Sequence, residues 1–237
     1  MMGNVNVDNI KEYLAKFSQK HNTDTIVRLM DKLTSLKVIV IGDTIIDQYV
    51  FVRPKGRAVK DPILSAGYMY DEKYAGGILA IANHLSDFVG NVELVTLIGD
   101  SDSREDFIKG SLKKNIRVKT FVKKKTMTTV KKRFIDIQRN NKLFKVEYIN
   151  DEPIDGQLTK EIVAYLESEI PKADLVVVGD FGHGFINDTI RRVLEAKSKF
   201  LVLNAQSNSS NMGYNYFTLY KRIDFLCANE EEVRMPF

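Results

Sequence analysis

Five short apolar runs in this chain each stop at a polar tip, and that pattern limits the fold more than any other feature. The first is Leu36 to Asp47, in which Val38 to Ile41 run into Gly42-Asp43. Val92 to Ile98 ends in Gly99-Asp100, and Leu175 to Val178 in Gly179-Asp180. Phe200 to Leu203 ends in Asn204-Ala205-Gln206, and Asp224 to Ala228 in Asn229 and three glutamates. Short apolar runs bounded by glycine read as strands buried on both faces, as in parallel sheets. Ligands of such sheets sit beyond the carboxyl ends of the strands. The five tips therefore outline one site, rich in acids and amides.

Between these strands lie helical stripes. Ile78, Ile81, Ala82, Leu85, Phe88 and Val89 follow Ala75-Gly76-Gly77, and Leu158, Ile162, Val163, Leu166 and Ile170 run up to Pro171. Ile186, Ile190, Val193 and Leu194 form a third. Strand and helix alternation implies βαβ units, so the fold class is α/β: a mainly parallel sheet flanked by helices. With 237 residues, 44% of them hydrophobic, the chain can bury a full core.

Two segments break the alternation. Residues 49–74 and 117–148 have the two-residue period of strands, with no helix to carry a parallel crossover. They are expected to leave the main sheet as a small antiparallel β lid over the crevice. Residues 1–34 are expected as a helical appendage and 35–237 as the α/β domain. Asp8 is a candidate cap for the first helix, with Ile10, Tyr13, Leu14 and Phe17 as its stripe. Ile26, Leu29, Met30 and Leu33 form the next. Packing of both stripes on the sheet is favoured over a dimer or membrane-surface role.

Several function classes fall away. No Gly-x-Gly-x-x-Gly follows the first strand, and no Walker A loop occurs. His21, His84 and His183 lack metal-ligand spacing, and each reads as a buried, satisfied histidine. Cys227 is the only cysteine, so no disulfide framework exists. The N-terminus lacks an apolar signal core, and no apolar run approaches the ~20 residues that span a bilayer. A soluble, cytoplasmic protein with no membrane partner is expected. The net charge of +4 decides little. The clusters Lys113-Lys114, Lys123 to Lys125 and Lys131 to Arg133 are thinly interleaved with aromatics and read as solvated strand faces, so no nucleic-acid partner is expected.

The candidate site residues lie at the strand tips and lid. Asp47, just past the first strand, offers a carboxylate that can accept from two vicinal hydroxyls of a sugar, although its position also suits a solvent-facing turn aspartate. Gly76 and Gly77 open a helix and allow a ligand close to its N–H groups, although a tight turn explains them equally well. Lys131 and Arg133 share one face of a strand and suit a phosphorylated substrate. Asn229 and Glu232, one turn apart, are oxygen donors suited to Mg²⁺, although acids also favour helix N-termini for their own sake.

Taken in order, Gly-Asp-x-x-x-Asp at 42–47, Ala-Gly-Gly at 75–77, Leu-Ile-Gly-Asp at 97–100, Lys-x-Arg at 131–133, Gly-Asp-Phe-Gly-x-Gly at 179–184 and Asn-x-x-Glu at 229–232 resemble the ribokinase-like (PfkB) carbohydrate kinases, nearest to bacterial heptose-phosphate kinases. The resemblance covers roughly residues 34 to 237. It implies ATP-dependent phosphorylation of a sugar or sugar-phosphate hydroxyl, with Mg²⁺. It implies that Asp47, Gly76 and Gly77 hold the sugar, that Asp180 lies near the substrate end, and that Asn229 and Glu232 organise Mg²⁺ and phosphates. It also implies a homodimer through the lid. The family's proton-accepting Asp sits in a Gly-Ala-Gly-Asp motif beyond Asn-x-x-Glu, and no such motif occurs up to Phe237. The base is thus expected beyond Phe237, and this chain is expected to hold the sugar side and to be inactive alone. The alternative is a non-catalytic sugar or sugar-phosphate binding module on the same fold.

Overall fold

The computed structural model describes residues 7–207 and 214–237. The side chain of Asp8, the candidate cap, lies outside them.

The architecture grows from β1 (Lys37–Arg57), a single strand of 21 residues. Its first third lies in the main sheet, parallel to β3 (Asn91–Gly99) and β7 (Leu175–Asp180). β4 (Ile116–Lys123) extends that sheet beyond β3. On the other side, β8 (Leu201–Ala205) and β9 (Phe225–Leu226) follow β7, giving the order β4-β3-β1-β7-β8-β9, all parallel. Alternation along the strands splits the core into two layers. Ile39, Ile41, Val176 and Val178 face α5 (Gly156–Glu169) and α6 (Asp188–Lys197). Val38, Val40, Leu94 and Val177 face α3 (Ile78–Leu85) and Ile108 of the short α4 (Glu105–Ser111). The expected α/β class is the observed one.

β1 does not stop at Gly42-Asp43. It continues into a second sheet, where β2 (Leu64–Gly77) pairs with it antiparallel and β5 (Thr129–Asp136) pairs with it parallel. β6 (Asn141–Tyr148) adds an antiparallel edge to β5. Gly42 serves a different purpose from ending a strand. A side chain there would overlap the backbone of Gly179 on β7, so the glycine lets two central strands approach closely. The lid is also mixed rather than wholly antiparallel. Its second excursion begins at Thr129, because residues 116–123, expected as lid, pair with β3 in the main sheet.

The N-terminal helices α1 (Val7–Lys20) and α2 (Thr23–Leu33) are formed as the stripes require, with Asn22 capping α2 through the Thr25 N–H. They do not pack on the sheet as expected. α2 buries no residue, and Ile10, Leu14, Leu29 and Met30 are exposed. Among the described residues, no helix is long and apolar enough to cross a membrane.

Candidate functional site at the carboxyl edge of the sheet

Strand register assembles the first part of the site. In the lid, Asp47 of β1 lies opposite Lys131 of β5, Tyr49 opposite Arg133, and Ile45 opposite Gly76 of β2. Asp47 and Arg133 form an ion pair, and the guanidinium stacks over the Tyr49 ring, 5.5 Å from its centroid. A Cβ on Gly76 would overlap the end of the Asp47 side chain, so a larger residue there displaces that carboxylate. Lys131 is buried and faces Asp47 and Glu147. Burial holds its ammonium below the usual lysine range, partly opposed by Glu147 and Asp47. The expected Asp47, Gly76, Lys131 and Arg133 thus meet on one stretch of lid.

Gly77 connects this stretch to the sheet. Its φ of +53° is a left-handed conformation, and a Cβ would sit 2.8 Å from the Asp43 carbonyl oxygen. The glycine pair therefore closes β2 onto α3 against β1, the tight-turn alternative of the sequence reading.

The second part is a buried carboxylate pair at the adjacent tips of β1 and β7. Asp43 accepts from the backbone N–H groups of Phe181 at 3.2 Å and His183 at 3.4 Å. Asp180 accepts from Tyr220 Oη at 2.8 Å, Gly182 N at 3.1 Å and Asn215 Nδ2 at 3.1 Å. Burial, and then repulsion by Asp180, pushes Asp43 up to about 7, against the pull of the backbone N–H groups. Burial also raises Asp180, against the hydrogen bonds from Tyr220, Gly182 and Asn215 and the charge of Arg191. Each carboxylate thus makes the other harder to ionise. Asp180, expected at the substrate end, is enclosed among its own partners.

Asn229 and Glu232 form a capping box at the start of α7 (Glu230–Arg234). Asn229 Oδ1 accepts from Glu232 N at 2.8 Å, and Glu232 Oε2 accepts from Asn229 N at 2.9 Å. Their three-residue spacing thus has a local cause. Glu232 Oε1 is buried without a partner. Among the described residues, no group of three or more His, Cys, Asp or Glu is placed to hold a metal. Glu232 Oε1 is thus the single oxygen donor that the box leaves over, and Mg²⁺ commonly takes one or two carboxylates.

Sequence reasoning passed over Asp43 as an ordinary strand tip and His183 as an ordinary buried histidine. The signal for Asp43 was the repeated Gly-Asp at 42–43 and 179–180, which sets two acids side by side once β1 and β7 are neighbours. The lysine clusters are partly committed elsewhere. Lys123 Nζ donates to Asn150 Oδ1 at 3.0 Å, and Lys113 pairs with Asp87. Another groove lies at the opposite edge of the sheet, lined by Lys37, Asn91, Glu93, Arg117, Glu169 and Lys172. Its acids are already paired with Arg117, Tyr165 and Lys172, so the groove adds no unsatisfied chemistry.

No family model matches the chain. Among solved structures, phosphofructokinase-2 from Escherichia coli, a tetrameric inhibited form, superposes with a TM-score of 0.57 at 11% identity, over 84% of this chain and 63% of that one. Ribokinase from Giardia lamblia gives 0.56 at 19% identity, over 84% and 59%. The fold is ribokinase-like. By sequence, this ribokinase-like chain is 26% identical over 152 residues to the bifunctional protein HldE of Helicobacter pylori, and 21% identical over 162 residues to that of Trichlorobacter lovleyi. Those matches take in 64% and 68% of this chain, and about a third of the relatives' length (32% and 33%). The resemblance read from the ordered motifs and the fold found by superposition agree.

Proposed function

We propose that this chain carries the sugar-binding side of an ATP-dependent carbohydrate kinase, whose product is a sugar or sugar phosphate newly phosphorylated on a hydroxyl. The observation that carries the reading is the lid cluster. Asp47 stands next to a glycine whose side chain it would otherwise overlap, with Arg133 and Lys131 beside it. Asp47 would receive two sugar hydroxyls, and Arg133 and Lys131 would offset charge on a phosphorylated substrate. Glu232 Oε1 would hold Mg²⁺, whose chemistry is to neutralise phosphate charge during phosphoryl transfer. Asp180 would act at a distance from the sugar, through Asp43. No residue is assigned as the proton acceptor, because Gly-Ala-Gly-Asp does not occur in the sequence. Exposed Tyr68, Tyr70, Tyr74 and Phe144 on the lid support self-association through that surface.

The test is thermal stabilisation by a panel of free sugars and sugar phosphates. A ligand at ~100 times its Kd adds about 2.7 kcal/mol. Asp47→Ala is expected to abolish that shift while leaving the unliganded melting temperature within a few degrees. Binding that survives in Asp47→Ala would refute the placement. The rival reading is a sugar or sugar-phosphate binding module on the same fold that transfers nothing. Phosphate transfer from ATP to the stabilising sugar separates the two.

A further inference from the structure

The two oxygens of Asp47 have different neighbours. Oδ1 is taken by the ion pair with Arg133, on the β5 edge of β1. Oδ2 lies on the other edge, over Gly76 of β2, and accepts no hydrogen bond from the described residues. A cleft of about 370 Å³ opens on that edge, lined by Asp47, Tyr49 and Phe51 of β1 and by Glu72 and Tyr74 of β2. Register places all five on one face of the lid, since Tyr74 lies opposite Asp47 and Glu72 opposite Tyr49. The volume is in the range of small-molecule sites.

The lining is aromatic and acidic, with no basic side chain. Tyr49 and Tyr74 meet edge to face, their centroids 5.8 Å apart. Tyr74 Oη donates to Glu72 Oε2 at 2.6 Å, which holds the ring in place. Glu72 is exposed and forms no ion pair with the described residues. The cations of this face, Lys131 and Arg133, stand on the opposite edge of β1. A ring face carries partial negative charge, so it attracts the C–H face of a sugar and repels an anion, as a carboxylate does. The geometry points to this cleft as the seat of the sugar ring, with Tyr49 and Tyr74 against its C–H face, and to Glu72 as the residue that keeps a phosphate off this edge and leaves it to Lys131 and Arg133. The substrate is then a sugar carrying at most one phosphate, and a second anion is rejected. This rests on the sugar-site reading above and adds to it an orientation and a limit on charge.

Thermal-shift titration of the full chain with hexoses, hexose 6-phosphates and hexose 1,6-bisphosphates tests it. Wild type is expected to bind a bisphosphate about five-fold or more weakly than the monophosphate at low ionic strength. Glu72→Gln is expected to narrow that gap. Tyr74→Leu is expected to weaken every ligand by about five-fold, whereas Tyr74→Phe, which keeps the ring, binds as wild type does. Both side chains are exposed, so neither change endangers the fold. Because Tyr74 also belongs to the exposed lid surface, the solution mass of each variant is measured alongside. If no sugar or sugar phosphate stabilises wild type, or if Asp47→Ala binds as tightly, the sugar-site reading falls, and the cleft with it. If ligands bind through Asp47 but the bisphosphate binds as well as the monophosphate, or Tyr74→Leu changes only the solution mass, the cleft alone is overturned.

Discussion

Asp43 is where a single side chain couples protonation to the fold. Its folded-state pKa, near 7, lies above the ordinary aspartate value of 3.8. Between those limits the folded state holds a proton that the unfolded chain releases, so the contribution of Asp43 to stability is fully present below pH ~4 and is lost as pH rises through 7. Asp43→Asn cannot ionise. Relative to wild type it is expected to gain stability as pH rises from about 5 to 8, on the order of 1 kcal/mol per pH unit, measured by urea denaturation at each pH. A parallel pH dependence in the two proteins would contradict the assignment. Gly76→Ala is the steric counterpart. Its methyl group would overlap the Asp47 carboxylate, so a loss of about 1–3 kcal/mol is expected, together with the Asp47–Arg133 pair. The residue types of Asp47, Gly76, Lys131 and Arg133 were legible as site chemistry before any fold was known. The Asp43–Asp180 pair was not, because its chemistry arises only when two strands distant in the sequence become neighbours.

At the scale of elements, the misread strand end shows why glycine is ambiguous. The sequence reading took Gly42 as the end of a strand, since glycine commonly marks turns. Its actual role is to admit the Gly179 backbone, and β1 runs on to Arg57. Local pattern cannot distinguish the two uses, because the partner strand supplies the reason. β4 was misassigned for a similar cause: its burial alternates only partly at the sheet edge, so it resembles a lid strand. The helical stripes fared better, since α3, α5 and α6 bury Ile78, Ile162 and Ile190 as their spacing requires. α1 and α2 make their own test. Because α2 buries no residue and the apolar stripe of α1 is exposed, removing residues 1–33 is expected to change the melting temperature by no more than about 2 °C. A larger fall would show that their apolar stripes are covered within the chain.

Across the whole molecule, one long strand joins two sheets, and the proposed chemistry sits where it crosses between them. The carboxylate pair belongs to the main sheet, the Asp47 cluster to the lid, and Gly77 and His183 bridge the two. Asn229 and Glu232 stand apart, two strands along from β7. Amide hydrogen exchange with and without a stabilising sugar tests the central claim most directly. Ligand protection is expected over residues 44–49, 74–77, 129–134 and 181–184, with the amides around Asn91, Arg117 and Lys172 unchanged. Protection confined to that opposite groove, or to the N-terminal helices, would contradict a sugar site between sheet and lid.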